Sequence, residues 1–171
     1  MKNIILIGMP GAGKTTLGTI LSRRLKMPFV DTDQVIEERE GASLQKIFEA
    51  RGLEDFKIFE GEVVASLNLS AHIIATGGSV IYSQDAMSHL ARLGTIIYLH
   101  VSPAALEERV NNADTRGMAR RPGMTLAELY NERAPLYRAW ADCTVAGDNL
   151  SPESMADEII AFISQGECKK S

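Results

Sequence analysis

Residues 4–25 read IILIGMPGAGKTTLGTILSRRL, and this stretch decides the fold. Residues 4–8 form a short, continuous apolar run without alternation, which is typical of a strand buried on both faces of a parallel sheet. Glycines follow, and from Lys14 to Leu25 the apolar residues recur at helical spacing. The stretch therefore predicts a buried strand, a tight loop and an amphipathic helix in succession.

Four later segments also have the composition of buried strands. Short apolar runs bounded by glycine, proline or polar residues predict strands at residues 29–31, 73–75, 95–101 and 143–145. Helical patterns separate these runs, and a final amphipathic helix is expected to open at Ser151 and Pro152. Alternation of buried strands with helices predicts an α/β fold with three layers, a five-stranded parallel sheet between two layers of helices.

Two stretches between the strands show no strand pattern. Residues 33–69 are predicted to form helices that break near Gly41 and Gly52, with Ser43 as the N-cap of the middle one. Residues 111–124 are polar, rich in arginine and interrupted by glycine and proline, which predicts a mobile surface loop. Thr125 is then expected to cap a helix that runs through Tyr130.

The composition excludes several classes of protein. With 171 residues, 45% of them hydrophobic, the chain is expected to form one domain over residues 1–171. Eighteen Lys and Arg against 22 Asp and Glu give a net charge of −4, which disfavours non-specific binding to nucleic acid. Two cysteines without metal-ligand spacing, and no apolar run long enough to cross a membrane, favour a cytoplasmic protein.

The glycine-rich turn carries the most specific motif of the chain. Residues 8–15 match the phosphate-binding pattern G-x-x-x-x-G-K-[ST], between a predicted strand and a predicted helix as that motif requires. Backbone N–H groups of such a turn converge on an anion, Lys14 reaches the β- and γ-phosphates, and the Thr15 hydroxyl ligates Mg²⁺. The residues predicted to bind the nucleotide are Gly11, Ala12, Gly13, Lys14, Thr15 and Thr16.

An acidic pair follows the second predicted strand. Asp31 and Asp33 lie at its carboxyl end, where ligands bind in open α/β sheets. The strand at 95–101 ends without a carboxylate, so Asp31 is expected to hold the magnesium ion through water. Asp33 would face the acceptor and take its hydroxyl proton. An alternative is that Asp33 simply caps the next helix, a role that aspartate fills well.

The arginine-rich loop suits phosphoryl transfer. That reaction needs positive charge around the moving group and exclusion of water, and a closing lid that carries arginine supplies both. Arg116, Arg120 and Arg121 lie in residues 111–124, which we interpret as such a lid. The alternative is a solvated basic loop that never contacts a substrate.

Five segments together resemble the shikimate kinase family. They are the phosphate-binding loop, residues 31–33 (DTD), 56–60 (FKIFE), 76–78 (TGG) and 132–137 (ERAPLY), in the family's order along nearly the whole chain. The resemblance implies a P-loop NTPase fold like that of the nucleoside monophosphate kinases, with strand order 2-3-1-4-5. It also implies a monomer that transfers the γ-phosphoryl group of ATP, with Mg²⁺, to the 3-hydroxyl of shikimate.

The resemblance further implies which residues bind the acceptor. Asp33 would bind its hydroxyls and act as the base, Arg133 would grip its carboxylate, and the backbone of Gly77 and Gly78 would line its pocket. Lys57 falls where the family has an arginine, so a point charge replaces a fork that pairs with carboxylates. The alternatives are a helix-surface role for Lys57, and for Arg133 a pairing with its neighbour Glu132 or with the helix dipole.

On the nucleotide side, Arg116 falls at the position of the lid arginine that contacts phosphate and substrate, and Arg109 lies near the family's adenine-stacking arginine. Two further departures weaken the substrate assignment. Ser79 stands where the family has a third glycine, and the lid, somewhat shorter, reads RGMA at residues 116–119 where the family has Arg-Pro-Leu-Leu. A kinase of the same fold acting on a sugar acid or a nucleoside monophosphate therefore stays an alternative. A nucleotide-dependent switch is disfavoured by the lack of an Asn-Lys-x-Asp sequence.

Overall fold

The strands of the protein form one parallel sheet. A computed structural model describes residues 2–111 and 118–165. Within these residues the strands are β1 (Asn3–Ile7), β2 (Phe29–Asp31), β3 (Ile73–Ala75), β4 (Gly94–His100) and β5 (Cys143–Ala146). They lie in the order β2-β3-β1-β4-β5, and every pairing is parallel. The predicted fold class and strand order are confirmed.

Helices connect the strands. They are α1 (Lys14–Leu25), α2 (Thr32–Glu40), α3 (Leu44–Arg51), α4 (Leu53–Ala65), α5 (Gln84–Leu93), α6 (Pro103–Asn111), α7 (Leu126–Trp140) and α8 (Pro152–Gln165), with a short 3₁₀ helix at Val80–Tyr82. The predicted breaks near Gly41 and Gly52 are present, and the Ser43 side chain caps α3 by accepting from the Lys46 N–H. The crossover from β2 to β3 thus consists of three helices, which extend from the sheet beside the carboxyl ends of its strands.

The core lies along the central strand. All five residues of β1 are buried, because the strand has a neighbour on each edge and helices on each face. At its amino end the buried Asn3 side chain donates to the carbonyls of Leu69 and Leu93 and accepts from the His72 N–H at 2.8 Å. Asn3 therefore ties together the segments that enter β1, β3 and β4, at the end of the sheet away from the phosphate-binding loop.

Helix α7 differs from its prediction. A helix through Tyr130 was expected, but α7 continues to Trp140 although it contains Pro135. Proline lacks the N–H that would bond four residues back, which usually ends a helix. Here Pro135 is exposed, and the opposite side of the helix buries Ala134 and Tyr137 against the core. Packing of that side outweighs the one lost hydrogen bond.

The loop before α7 also differs in part. The predicted Thr125 cap is present as a full capping box with Glu128. Ala119, however, is buried, and Met118 packs against the core, so these two residues do not form the free surface loop that was expected. Of the other lid residues, 112–117, with Arg116, lie outside the described residues. In the described part of the chain no helix is long and apolar enough to cross a membrane.

Candidate active site

A cavity of about 450 Å³ opens at the carboxyl ends of β1, β2 and β3. Its walls come from the phosphate-binding loop, from β2 with the start of α2, from α4, from the turn after β3, and from α7. The predicted site residues that line it are Gly11, Gly13, Lys14, Thr15, Thr16, Asp31, Asp33, Gly77, Gly78, Arg109 and Arg133. Residues far apart in the chain therefore meet at one end of the sheet, where ligands bind in this class of fold.

The phosphate-binding loop wraps around the Lys14 side chain. Lys14 Nζ donates to the carbonyl oxygens of Gly8 and Met9 at 2.8 and 2.9 Å. Gly13 has φ of 96°, a conformation that other residues rarely adopt and that directs the loop into the first turn of α1. Burial lowers the pKa of Lys14 to about 8, while the carboxylates of Asp33 and Asp31 act in the opposite direction. The ammonium group is thus held among carbonyls, ready for an anion.

Asp31 connects the loop with the acidic pair. One carboxylate oxygen accepts from the Thr15 hydroxyl at 2.8 Å, and the other accepts from the Asp33 N–H at 3.1 Å. Asp31 is therefore the N-cap of α2, and the alternative that Asp33 caps this helix is wrong. The Thr15 hydroxyl and the Asp31 carboxylate are oxygen donors of the kind that Mg²⁺ prefers, side by side at the cavity wall.

Asp33 faces the same cavity from the first turn of α2. Burial and, to a smaller extent, the charge of Asp31 raise the pKa of Asp33, and Lys14 opposes them. The resulting pKa is about 6. A carboxylate with a pKa near the working pH is suited to accept a proton and release it again. Asp33 is therefore a carboxyl group in the cavity wall that can exchange a proton near pH 6.

Glu60 is a second buried acid in this site. It projects from α4, is 1% exposed, and lies so close to Gly77 that a Cβ at that position would collide with its carboxylate. The Ser79 hydroxyl donates to Glu60. Burial raises the pKa of Glu60 to about 7, as does the nearby charge of Asp33. A Cβ at position 77 would also lie 2.7 Å from Asp33 Oδ1, so a larger residue there would displace one or both acids.

Arg133, on α7, also lines the cavity and is 1% exposed. Its guanidinium donates to the Ala119 carbonyl and, through Nε at 3.2 Å, to the Tyr82 hydroxyl. The remaining nitrogen, Nη1, is buried and finds no hydrogen-bond partner among the described residues. Glu132 bonds instead to Tyr82 and Arg121, so the alternative of an Arg133–Glu132 pair is wrong.

Two predicted residues have contacts that their sequence context did not indicate. Arg109 donates to the carbonyls of Ala12 and Gly147, at 3.2 and 2.7 Å, which fixes its guanidinium beside the phosphate-binding loop. Lys57 is not among the described residues that line the cavity. Its Nζ pairs with Glu54 at 3.0 Å and lies over the Tyr82 ring, 4.5 Å from the ring centre.

Comparison with known proteins assigns the chain to a family. Residues 10–164 match the profile of the shikimate kinase family. A shikimate kinase of Dechloromonas aromatica is 41% identical over 152 residues, which cover 87% of this chain and 83% of that protein. One from Legionella pneumophila is 37% identical over 166 residues, 95% of each chain. The chain belongs to the shikimate kinase family. It is therefore an ATP-dependent kinase.

Solved structures of shikimate kinases have the same fold. The Acinetobacter baumannii shikimate kinase in complex with shikimate superposes with a TM-score of 0.88, at 30% identity over 99% of this chain and 96% of that one. The Aquifex aeolicus shikimate kinase gives 0.78, at 32% identity over 96% and 97%. A gluconokinase from Sinorhizobium meliloti gives 0.56 at 17% identity over 96% of this chain and 92% of that one, which shows the shared fold alone.

Sequence reasoning missed two polar residues, Glu60 in the cavity wall and Tyr82, which contacts Arg133 from outside the lining. The stretch 56–60 was part of the family resemblance, yet Glu60 received no role, because its burial depends on Ser79 and Gly77 in a distant loop. One signal could have indicated a role for Glu60: it lies four residues after Phe56, on the same buried face of the helix, where an acid is unusual. For Tyr82 there was no local signal, since its partners lie on α7.

Proposed function

We propose that the protein transfers the γ-phosphoryl group of ATP to the 3-hydroxyl of shikimate, yielding ADP and shikimate 3-phosphate. The observation that carries this proposal is the buried Arg133 guanidinium in the wall of the cavity that Asp33 and Lys14 also line. A planar guanidinium selects a carboxylate, and a nearby base selects a hydroxyl. A small hydroxylated acid meets both requirements.

The acceptor side of the site orients and deprotonates the hydroxyl. Arg133 binds the carboxylate, and the backbone of Gly77 and Gly78 lines the pocket; a Cβ on Gly78 would meet Arg133 Nη1 at 2.9 Å, so glycine there lets Arg133 pack against the turn. Asp33 accepts the hydroxyl proton as the oxygen attacks the γ-phosphorus. Lys57 acts on the acceptor in this proposal only if it leaves Glu54 and Tyr82, its partners in the structure.

The nucleotide side holds ATP and balances its charge. Gly11, Ala12, Gly13, Thr15 and Thr16 bind the phosphates through the loop backbone and the first turn of α1, and Lys14 compensates the charge that develops on the transferred group. Thr15 and Asp31 would hold Mg²⁺, which would supply positive charge to balance the phosphates of ATP. Arg109 would contact the adenine, and Arg116 would close over the phosphates from the lid.

Release of ADP tests the proposal directly. The purified protein is assayed with Mg-ATP alone and with shikimate, other hydroxy acids, sugar acids and nucleoside monophosphates. We expect strong stimulation by shikimate. Stimulation only by another acceptor would overturn the substrate while retaining a kinase mechanism, and would direct attention to Lys57 and Ser79. Nucleotide-dependent partner binding without any acceptor-dependent ADP release would favour a switch.

The domain organisation, oligomeric state, localisation and partners belong to the same proposal. We expect residues 1–171 to act as a single kinase domain, with acceptor-binding helices at about 33–69 and a lid at about 111–124. The protein would act as a monomer in the cytoplasm and would not bind nucleic acid. Light scattering after size-exclusion chromatography measures the oligomeric state, and a mass of twice 18.7 kDa would contradict a monomer.

A further inference from the structure

Tyr82 lies outside the cavity lining and contacts Arg133 from behind. It ends the 3₁₀ helix that follows the glycine turn at Gly77 and Gly78. Its hydroxyl accepts from Arg133 Nε at 3.2 Å, and the Arg133 guanidinium carbon lies 5.3 Å from the centre of its ring. The Arg133 guanidinium is therefore held by the phenol and by the Ala119 carbonyl, while Nη1 is buried close to Gly78.

The Tyr82 hydroxyl is itself fixed by α7. It donates to Glu132 Oε1, and the other Glu132 oxygen accepts from Arg121 at 2.6 Å. Burial raises the pKa of Tyr82, so the phenol keeps its proton at neutral pH. A neutral hydroxyl has one hydrogen to donate and lone pairs to accept with, which is what simultaneous bonds to Glu132 and Arg133 require. The geometry thus fixes the direction in which the Arg133 guanidinium points.

Lys57 packs onto the same ring. Its ammonium group lies 4.5 Å from the ring centre, a cation–π contact with the aromatic face. Tyr82 thus contacts both cationic residues that the sequence had assigned to the acceptor, Lys57 through its ring and Arg133 through its hydroxyl. Between these two residues, Arg133 alone lines the cavity.

We propose that Tyr82 is a positioning residue that determines acceptor affinity by holding the Arg133 guanidinium toward the cavity, with Glu132 fixing the Tyr82 hydroxyl. This inference rests on the proposed role of Arg133 in binding the acceptor's carboxylate. It assigns to Tyr82 no contact with the acceptor and no part in the phosphoryl transfer step. Because the carboxylate is bound in the ground state and the transition state alike, loss of the Tyr82 hydroxyl weakens binding more than turnover.

The variant Tyr82→Phe tests this proposal, since it removes the hydroxyl and keeps the ring. We expect the KM for the acceptor to rise about tenfold, the effect of losing one hydrogen bond to a charged group. The kcat and the KM for ATP should change less than about twofold. A matched control is Tyr130→Phe, because the Tyr130 hydroxyl also bonds to a partly buried side chain, His100 at 2.6 Å, and Tyr130 is not among the described residues that line the cavity.

Repeating the Tyr82→Phe substitution in an Arg133→Lys variant distinguishes a positioning role of Tyr82 from a general contribution to stability. In Arg133→Lys the Nε donor is absent, so adding Tyr82→Phe should leave the acceptor KM within about twofold of the single variant. An unchanged acceptor KM in Tyr82→Phe would overturn the proposal, and so would an equal further rise in the Arg133→Lys background. Parallel changes in kcat, both KM values and the melting temperature would also overturn it, by indicating a structural role.

The two proposals fail in distinguishable ways. If no carboxylated acceptor stimulates ADP release by the unaltered protein, the proposed function fails, and isothermal titration of the same acids to the ADP-bound protein then tests Tyr82 through affinity alone. If the unaltered protein responds to such an acid and Tyr82→Phe responds equally well at low acceptor concentration, the role of Tyr82 fails and the proposed function stands.

Discussion

Single side chains at the cavity carry the most direct predictions, and Asp33 is the first. Its place in the acceptor cavity makes it the proposed base, so Asp33→Asn should lower kcat by about 10²- to 10⁴-fold, the usual contribution of a general base. Nucleotide affinity should persist, because the phosphate-binding loop is unchanged. Steady-state kinetics and ADP titration measure the two effects. Asp55→Asn, on the exposed first turn of α4, is the control and should leave kcat unchanged. Near-normal turnover in Asp33→Asn would show that Asp33 is not the base.

The pKa values of two residues predict the pH dependence of the reaction. Asp33 must be ionised to accept a proton, so kcat/KM for the acceptor should fall as the pH drops through the Asp33 pKa of about 6. Lys14 must be protonated to bind phosphate, so kcat/KM for ATP should fall as the pH rises through its pKa of about 8. Initial rates between about pH 5 and 9 at limiting concentrations of each substrate test both limbs, and a flat profile below about pH 7 would contradict the first.

Glu60 predicts a pH dependence of stability. Its ordinary pKa of 4.5 is raised to about 7 in the folded protein, so the native state holds this proton more tightly than the unfolded chain does. The resulting stability is present below pH 4.5 and is lost as the pH rises through about 7. Glutamine cannot ionise, so Glu60→Gln does not lose this stability at high pH. The free energy of unfolding of Glu60→Gln minus that of the parent should therefore be larger at about pH 8 than at about pH 5.5.

Urea unfolding at the two pH values measures this difference. Glu62→Gln, two positions along α4 on its exposed side, should show no such change between the two conditions. An equal effect of both substitutions would mean that Glu60 ionises without a penalty from burial.

At the scale of elements, the contact between β1 and β4 predicts a large effect from one methyl group. Gly94 pairs with Asn3, and a Cβ on Gly94 would collide with the Asn3 carbonyl and lie 2.7 Å from its carbon. Backbone in the centre of a sheet has no room to move, so Gly94→Ala should lower the free energy of unfolding by about 3 kcal/mol. Thr95→Ala, at the next position, should cost no more than about 1 kcal/mol. Denaturant midpoints compare the two, and equal values would contradict the close approach.

The same scale shows what local sequence can predict. The strands were predictable because each is a short apolar run with punctuation on both sides, and the breaks at Gly41 and Gly52 because both residues have positive φ, which glycine tolerates. The length of α7 was not predictable from local sequence. A local rule ends a helix at Pro135, whereas α7 continues because Tyr137 is buried and stacks against Tyr98 of a distant strand. Likewise the loop residues 8–15 form a contiguous motif, whereas Glu60 and Tyr82 acquire their roles only through partners brought together by the fold.

For the whole molecule, nucleotide binding should stabilise the folded state. A ligand that binds only the native protein adds about 2.7 kcal/mol when its concentration is about 100 times its Kd. ADP with Mg²⁺ should therefore raise the melting temperature more than ADP with EDTA, because Thr15 and Asp31 would hold the ion beside the phosphates. In Asp31→Asn that difference should largely disappear, whereas Asp85→Asn, on the exposed first turn of α5, should retain it. A full Mg²⁺ effect in Asp31→Asn would mean that other groups hold the metal.

The order of the strands has a consequence for synthesis of the protein on the ribosome. The central strand β1 is the first of the five to be made, but its partners β3 and β4 are complete only when residues 75 and 100 have been added. At about 5 to 20 residues per second, this apolar segment waits roughly 5 to 20 s for its second neighbour. During translation the nascent chain therefore exposes an apolar strand that is buried in the native fold, a natural target for chaperones that recognise emerging polypeptides.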